Sequence, residues 1–374
     1  MKCLNKNRIY GILGLAAGLV LVCLLTYQCT ANQAPRVQLE ALPDFAYMLS
    51  DRNATDELIT ITNGKEKPDR RFGFIDLQGN VAEPLDLIYF IAGEDQIVAA
   101  DETKMFRYLD KHGKTILSEV EGRPLAFADL FMDGYAMVRL GQDIGESVID
   151  WTGKVCLEPT WRHNTYRNHA RGLFTRHTID ASISEPVIVN IDGEVLYEGV
   201  RDLAGLSQPY GFYCGENDLW GIWDTASERK VTEPFLTGCL TGFEDGAAIA
   251  KDTDEALIVI DEQGNEILNL TELYPALKDA YYQNNSFLLL FDDGRAPAMI
   301  DLTGKMIREY PYDSLSCFAE DGLAVCEKDG TYGLVTADGT EVLPPVYDVV
   351  QGPVRDGWRY VSKNGAVSRV RPVP

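Results

Sequence analysis

The chain has 374 residues, 45% of them hydrophobic, and a formal charge of −23 from 57 acidic against 34 basic residues. That length and apolar content can fill a large core and exclude general disorder. The acidity excludes a general electrostatic attraction to nucleic acid or to anionic membrane surfaces.

Lys2, Lys6 and Arg8 precede an uncharged apolar run from Ile9 to Tyr27, and no acid occurs before Glu40. The run's nineteen residues, at about 1.5 Å each, nearly span the roughly 30 Å hydrocarbon core. Positive charge ahead of the run predicts a cytoplasmic basic tip over 1–8 and a transmembrane signal anchor over 9–27. A linker over 28–43 and an extracytoplasmic domain over 44–374 follow. The alternative is a signal cleaved after Ala31, which releases the remainder as a secreted protein. A lipidated Cys29 fits less well, because Thr26, Tyr27 and Gln28 precede it in place of a small residue. Beyond this segment Cys156, Cys214, Cys239, Cys317 and Cys326 lack CxxC spacing and read as buried thiols. Cys317 with Cys326 is the one close pair and the one candidate bridge.

From residue 72 onward one pattern returns in chain order: FIDLQG ending at Gly79, YLDKHG at Gly113, VIDWTG at Gly153, IVNIDG at Gly193, VIDEQG at Gly264, MIDLTG at Gly304 and LVTADG at Gly339. IWDTAS, ending at Ser227, holds the place of one more, so eight sites recur at a mean period of about 37 residues. Asp at the first turn position accepts from backbone amides, and Gly at the fourth tolerates positive φ, so D-x-x-G predicts a hairpin turn. Short alternating runs such as LIVI, Leu257 to Ile260, read as the strand before it, and EVL, Glu341 to Leu343, as the strand after. An earlier strand opens on an acid–Gly pair at Asp133, Asp245, Asp321 and Asp356. Pro84, Pro159, Pro234, Pro344 and Pro345 mark strand ends or edges. The pairs Phe72–Gly73, Trp220–Gly221 and Tyr332–Gly333 share one position, placed on the second strand, where Gly admits a close neighbour.

Four strands of about five residues with short turns fill one period, as in a propeller blade. The fold class is therefore all-β: a β-propeller of about eight four-stranded blades, or an open β-repeat solenoid, behind one N-terminal transmembrane helix. A ninth unit starts at Asp356 and stops after two strands; Phe45 to Leu49, FAYML, is the candidate to complete it.

LWGIWD (Leu219 to Asp224), YGLVTADGTEVLPPVYD (Tyr332 to Asp348) and FGFIDLQGNV (Phe72 to Val81) resemble the bacterial WG repeat, also called the KWG repeat. The resemblance runs over about residues 58 to 374, with Trp220 alone keeping the Trp and Gly113–Lys114, Gly153–Lys154 and Gly304–Lys305 keeping the Gly-Lys step. It implies a tandem β-repeat protein and no shared catalytic residue.

Motifs of chemistry are sparse. Gly113-Lys114-Thr115 lacks the upstream Gly of a phosphate loop, since Tyr108 stands there, and reads as a repeat turn. Asp252, Asp254 and Glu255 lack the central Gly of a calcium loop. No metal, cofactor or catalytic residue is expected. One island breaks the charge pattern: Pro159 to Ile179 holds Arg162, Arg167, Arg171 and Arg176 with His163, His169 and His177 and no acid. Its arginines either pair with carboxylates of neighbouring repeats or, with Trp161 and Tyr166, form an anion-binding patch; metal binding by the histidines matches no standard spacing. The expected function is a membrane-anchored binding or scaffold module for a protein or an anionic envelope glycopolymer, without nucleic acid. The alternative is an envelope hydrolase with its site in a propeller channel.

Overall fold

Each D-x-x-G sequence does close a hairpin, and the same atoms close it each time. In the turn after Asp301 the Gly304 amide donates to the Asp301 carbonyl at 3.0 Å, while the Asp301 carboxylate accepts from the Thr303 and Lys305 amides at 2.9 and 3.0 Å. Gly304 takes φ +82°, a left-handed value that a β-branched residue resists. Asp76, Asp110, Asp150 and Asp261 repeat this arrangement, and Asn190 performs it without a charge. Ser227 does not hold the glycine's place: the left-handed residue of that turn is Glu228, one position later.

The computed structural model describes residues 36–373 except 43–44, 53, 94, 142–144, 159–163, 170, 179–185, 198, 207 and 284. The apolar run 9–27 lies outside these, and among the described residues no helix is long and apolar enough to cross a membrane. The described residues are all-β, with one α-helical turn at Leu270–Leu273 and one 3-10 turn at Arg355–Gly357 among them.

The described strands form nine consecutive antiparallel units, at 48–87, 89–117, 119–157, 164–197, 202–230, 238–269, 277–309, 314–347 and 349–373. Units 2 and 3 join into one sheet through a pairing of Phe106 with Leu125, and unit 3 carries an additional short strand at Glu119–Val120. Unit 9 has three strands of its own, and its fourth is Arg36–Ala41, paired from Arg36 opposite Val373 to Ala41 opposite Ser368. This corrects two expectations. The linker drawn over 28–43 contains a strand, and the FAYML segment does not complete unit 9; its Met48–Leu49 is the first strand of unit 1.

Register puts the first–second and third–fourth connections of a unit at one end, which we call face I, and the second–third connection at the other, face II. In unit 9 the turn between Lys363 and Ala366 lies on face II, whereas Arg36 and Val373 meet on face I. The aromatic–Gly pairs open the third strand rather than lying on the second. A side chain at Gly333 would sit 2.4 Å from the Leu343 carbonyl oxygen and 2.7 Å from the Pro345 nitrogen, so Gly lets the fourth strand approach. Pro344 and Pro345 are tolerated because that strand is an edge.

The middle strands do not alternate as half-buried strands would. Leu58–Thr62 and Gln96–Ala100 are buried at every residue, because each sheet is covered on both faces by its neighbours. Successive side chains point to opposite faces. Ile258 and Ile260 pack toward unit 5 with Phe212 and Ile222, while Leu257 and Val259 pack toward unit 7 with Phe287 and Ile300. One such cluster lies between each pair of consecutive units, and another joins Val354, Tyr360 and Val367 of unit 9 to Ile59, Ile61 and Ile75 of unit 1. Gln351 reinforces that last contact by donating from Nε2 to the Ser50 and Thr60 carbonyls at 2.9 and 2.8 Å.

Candidate functional site

The arginine island folds as the first half of unit 4. Trp161, Arg162 and His163 lie outside the described residues, as do the side chains of Tyr166 and His177, although Asn164–Asn168 and Leu173–Thr178 are paired strands. Arg167, on the first strand, is 61% exposed and bonds the Asp202 carboxylate of unit 5 at 2.5 Å. That carboxylate also meets the buried His169 Nε2 at 3.1 Å and accepts from the Thr175 hydroxyl at 3.2 Å and the Leu203 amide at 2.9 Å. Burial alone would raise the Asp202 carboxyl. The His169 hydrogen bond and the charges of His169 and Arg167 outweigh it and hold the group below the ordinary aspartate range.

Arg171 occupies a left-handed position before Gly172, where other units place an acid before Gly. Its amide donates to Asp133 of unit 3 at 2.7 Å, and its Nη1 donates to the Thr225 carbonyl of unit 5 at 2.8 Å. Arg176 is half-buried. Of the six proposed patch residues, Arg167 pairs with a carboxylate of a neighbouring unit, as the first of the two readings has it, whereas the Arg171 side chain bonds a neighbouring unit's backbone carbonyl.

Sequence reading missed a second system. The acid of the acid–Gly hairpin accepts a donor from the next unit: Asp133 from the Arg171 amide, Asp245 from the Tyr282 hydroxyl at 2.9 Å, and Asp321 from the Arg359 guanidinium at 3.0 and 2.8 Å. The separations are 38, 37 and 38 residues, one repeat each time, and that constancy was the available signal. Arg359 is 2% exposed and donates also to the Leu323 carbonyl.

A cavity of about 470 Å³ runs between units 8 and 9, lined by Leu323, Val325, Val349 and Val350 with Asp51, Asp348 and Cys317 among its polar groups. Cys317 and Cys326 are both free thiols, the first exposed and the second buried, so the candidate bridge is not formed. Gly113 of the phosphate-loop candidate closes a repeat turn, and Asp252 accepts from the amides of Asp254 and Ala256 within its own turn. Among the described residues no group of three His, Cys, Asp or Glu side chains could hold a metal ion.

With the turn, the aromatic–Gly contact and the Pro-Pro edge strand of unit 8 in place, residues 332–365 match the family described as WG containing repeat. The chain contains a WG repeat. Three solved structures are similar at low identity. The computationally designed Ika8 protein is 13% identical at TM-score 0.42, over 91% of this chain and all of that one. BamB from Moraxella catarrhalis is 12% identical at TM-score 0.41, over 90% of this chain and 97% of that one. KlHsv2 with loop 6CD replaced by a Gly-Ser linker is 14% identical at TM-score 0.37, over 64% and 89%. No curated protein matches the chain.

Proposed function

We propose that this WG-repeat protein is a binding or scaffold module whose nine units close into a β-propeller, held outside the cytoplasm by the apolar run 9–27. The observation that supports it is where the repeat's signature residues go. Turn acids are saturated by their own backbone amides, acid–Gly acids by donors of the next unit, and the aromatic–Gly glycine by the backbone it admits. These groups build the ring and hold no substrate, so recognition falls to the connections between strands and to the cavity between units 8 and 9. Contacts of unit 9 with unit 1 favour closure over an open solenoid.

The partner is a protein or an anionic envelope glycopolymer. Arg167 supports the polymer reading, since it is 61% exposed even while it bonds the Asp202 carboxylate. The experiment is affinity capture with residues 28–374 as bait, followed by polymer binding of wild type against a variant with Arg162, Arg167 and Arg176 changed to Gln. A captured protein whose binding is unchanged in the variant identifies a protein scaffold. Polymer binding that weakens steeply with salt and is lost in the folded variant identifies the glycopolymer reading. Neither outcome, with turnover of a wall polymer instead, refutes the proposal.

A further inference from the structure

Where the N-terminal strand begins fixes which face of the ring meets the bilayer. Arg36 stands opposite Val373, at the end of unit 9 away from the Asn364–Gly365 turn, so the chain arrives from the membrane on face I. Only residues 28–35, eight in number, separate that point from the apolar run. Fully extended they reach roughly 26–29 Å. With face I toward the lipid, the tether has to cross only the headgroup layer, about 5–7 Å. With face II toward the lipid, it must first descend along the wall of the ring. The six-residue strand Arg36–Ala41 sets that descent at about 20 Å, and the headgroup layer then uses up the whole reach.

A tether at full extension loses nearly all its conformational freedom, whereas one spanning a quarter of its length keeps most of it. Face I also carries surface suited to the interface. Trp151, in a third–fourth turn, is 49% exposed and lies flat on Phe131 at 3.9 Å, and Met132 beside it is 47% exposed. Half-exposed Trp is a residue that settles at headgroup depth.

We propose that face I lies against the membrane surface and that face II, with its second–third and fourth–first connections, is presented outward to the partner. This rests on the anchoring reading above. The short tether makes the orientation a property of the chain and leaves face II the accessible one.

The test uses the full chain in lipid nanodiscs, with one fluorophore introduced through a non-natural amino acid and an energy acceptor on the lipid headgroups. Gln78 and Thr303 report face I in units 1 and 7; Glu66 and Asp293 report face II in the same units, and all four are exposed. Energy transfer is expected to be greater from residue 78 than from 66, and from 303 than from 293. Inserting a flexible stretch of about 30 residues after Gln33 should erase the difference. Equal or reversed transfer in chains that enter the disc overturns the orientation while leaving the anchor intact. If the full chain enters discs no better than one lacking residues 1–27, the anchor itself fails and the orientation with it.

Discussion

Removing Asp321 should be among the most damaging single changes available in the repeat array. The substitution Asp321→Ala strips a 2% exposed guanidinium of both its carboxylate bonds and leaves it the Leu323 carbonyl alone. Breaking a buried pair from one side costs about 3–5 kcal/mol, since the remaining charge stays desolvated. Unfolding entropy near 2.1 cal/mol/K per residue, taken over roughly 340 residues, converts this into a fall in Tm of about 4–7 °C. Arg359→Met should cost less, because Asp321 keeps 16% exposure and can reach water. The double variant Asp321→Leu with Arg359→Met should recover most of the loss, as apolar replacements of buried pairs often do. Urea titrations of the three variants at equal m-values measure this. A loss below about 1 kcal/mol in Asp321→Ala, or a double variant equal to the sum of the singles, would refute the claim that this pair staples unit 9 to unit 8.

Three further outcomes are expected. Gly304→Val should cost about 1–3 kcal/mol through its left-handed φ and also crowd Leu273, whose Cδ1 would lie 2.9 Å from the new Cβ; Asp301→Asn should be nearly silent at neutral pH, since Asn190 already performs that turn, and thermal midpoints of both decide it. Asp150 and Asp301 are held low by their neighbouring threonine hydroxyls, and Asp76 and Asp261, despite the raising effect of burial, by Asn side chains and amides. Their folded values lie below the unfolded 3.8, so this stability is complete above that pH and is lost as pH falls through the folded values; Glu83, raised by burial, runs the opposite way. An acid titration of Tm should fall below about pH 4, and a flat profile would remove the turn carboxylates as its cause. Glu40→Ala with Gln38→Ala should loosen the N-terminal strand, read as faster amide exchange over residues 366–373 without change in units 2 to 7, because the Arg369 and Arg371 guanidiniums each donate a fork of two bonds to those side chains.

The repeat was legible because its signals are local. Asp, two residues and Gly make a turn from within four positions, and the period then counts the units. What escaped the sequence depended on partners a repeat or more away. RVQLEA reads as linker since Gln38, Leu39, Glu40 and Ala41 are exposed, and only pairing with residues near the other end of the chain makes it a strand. Alternation misled for the middle strands because Ile258 and Val259 are both core, facing different sheets. The Asp321–Arg359 pair looked like two ordinary charges until the 38-residue spacing was set against the repeat length. In the island, Arg167 found its counterion in Asp202, 35 residues on, so a run without acids became a partly neutral site.

The N-terminal strand also sets a clock. Glu40 and Arg369 are 329 residues apart, so the N-terminal strand waits for a partner synthesised that many residues later. At about 5–20 residues per second that wait lasts roughly 16–65 s. During it the strand offers an unpaired edge, and each growing unit offers its own edge to any neighbouring chain. The forks at Glu40 and Gln38 are a polar recognition that a stray apolar strand cannot satisfy. Completion of the last sheet thus reports that every unit before it has been made, and a chain truncated anywhere ahead of Ala366 would leave its first strand without a mate.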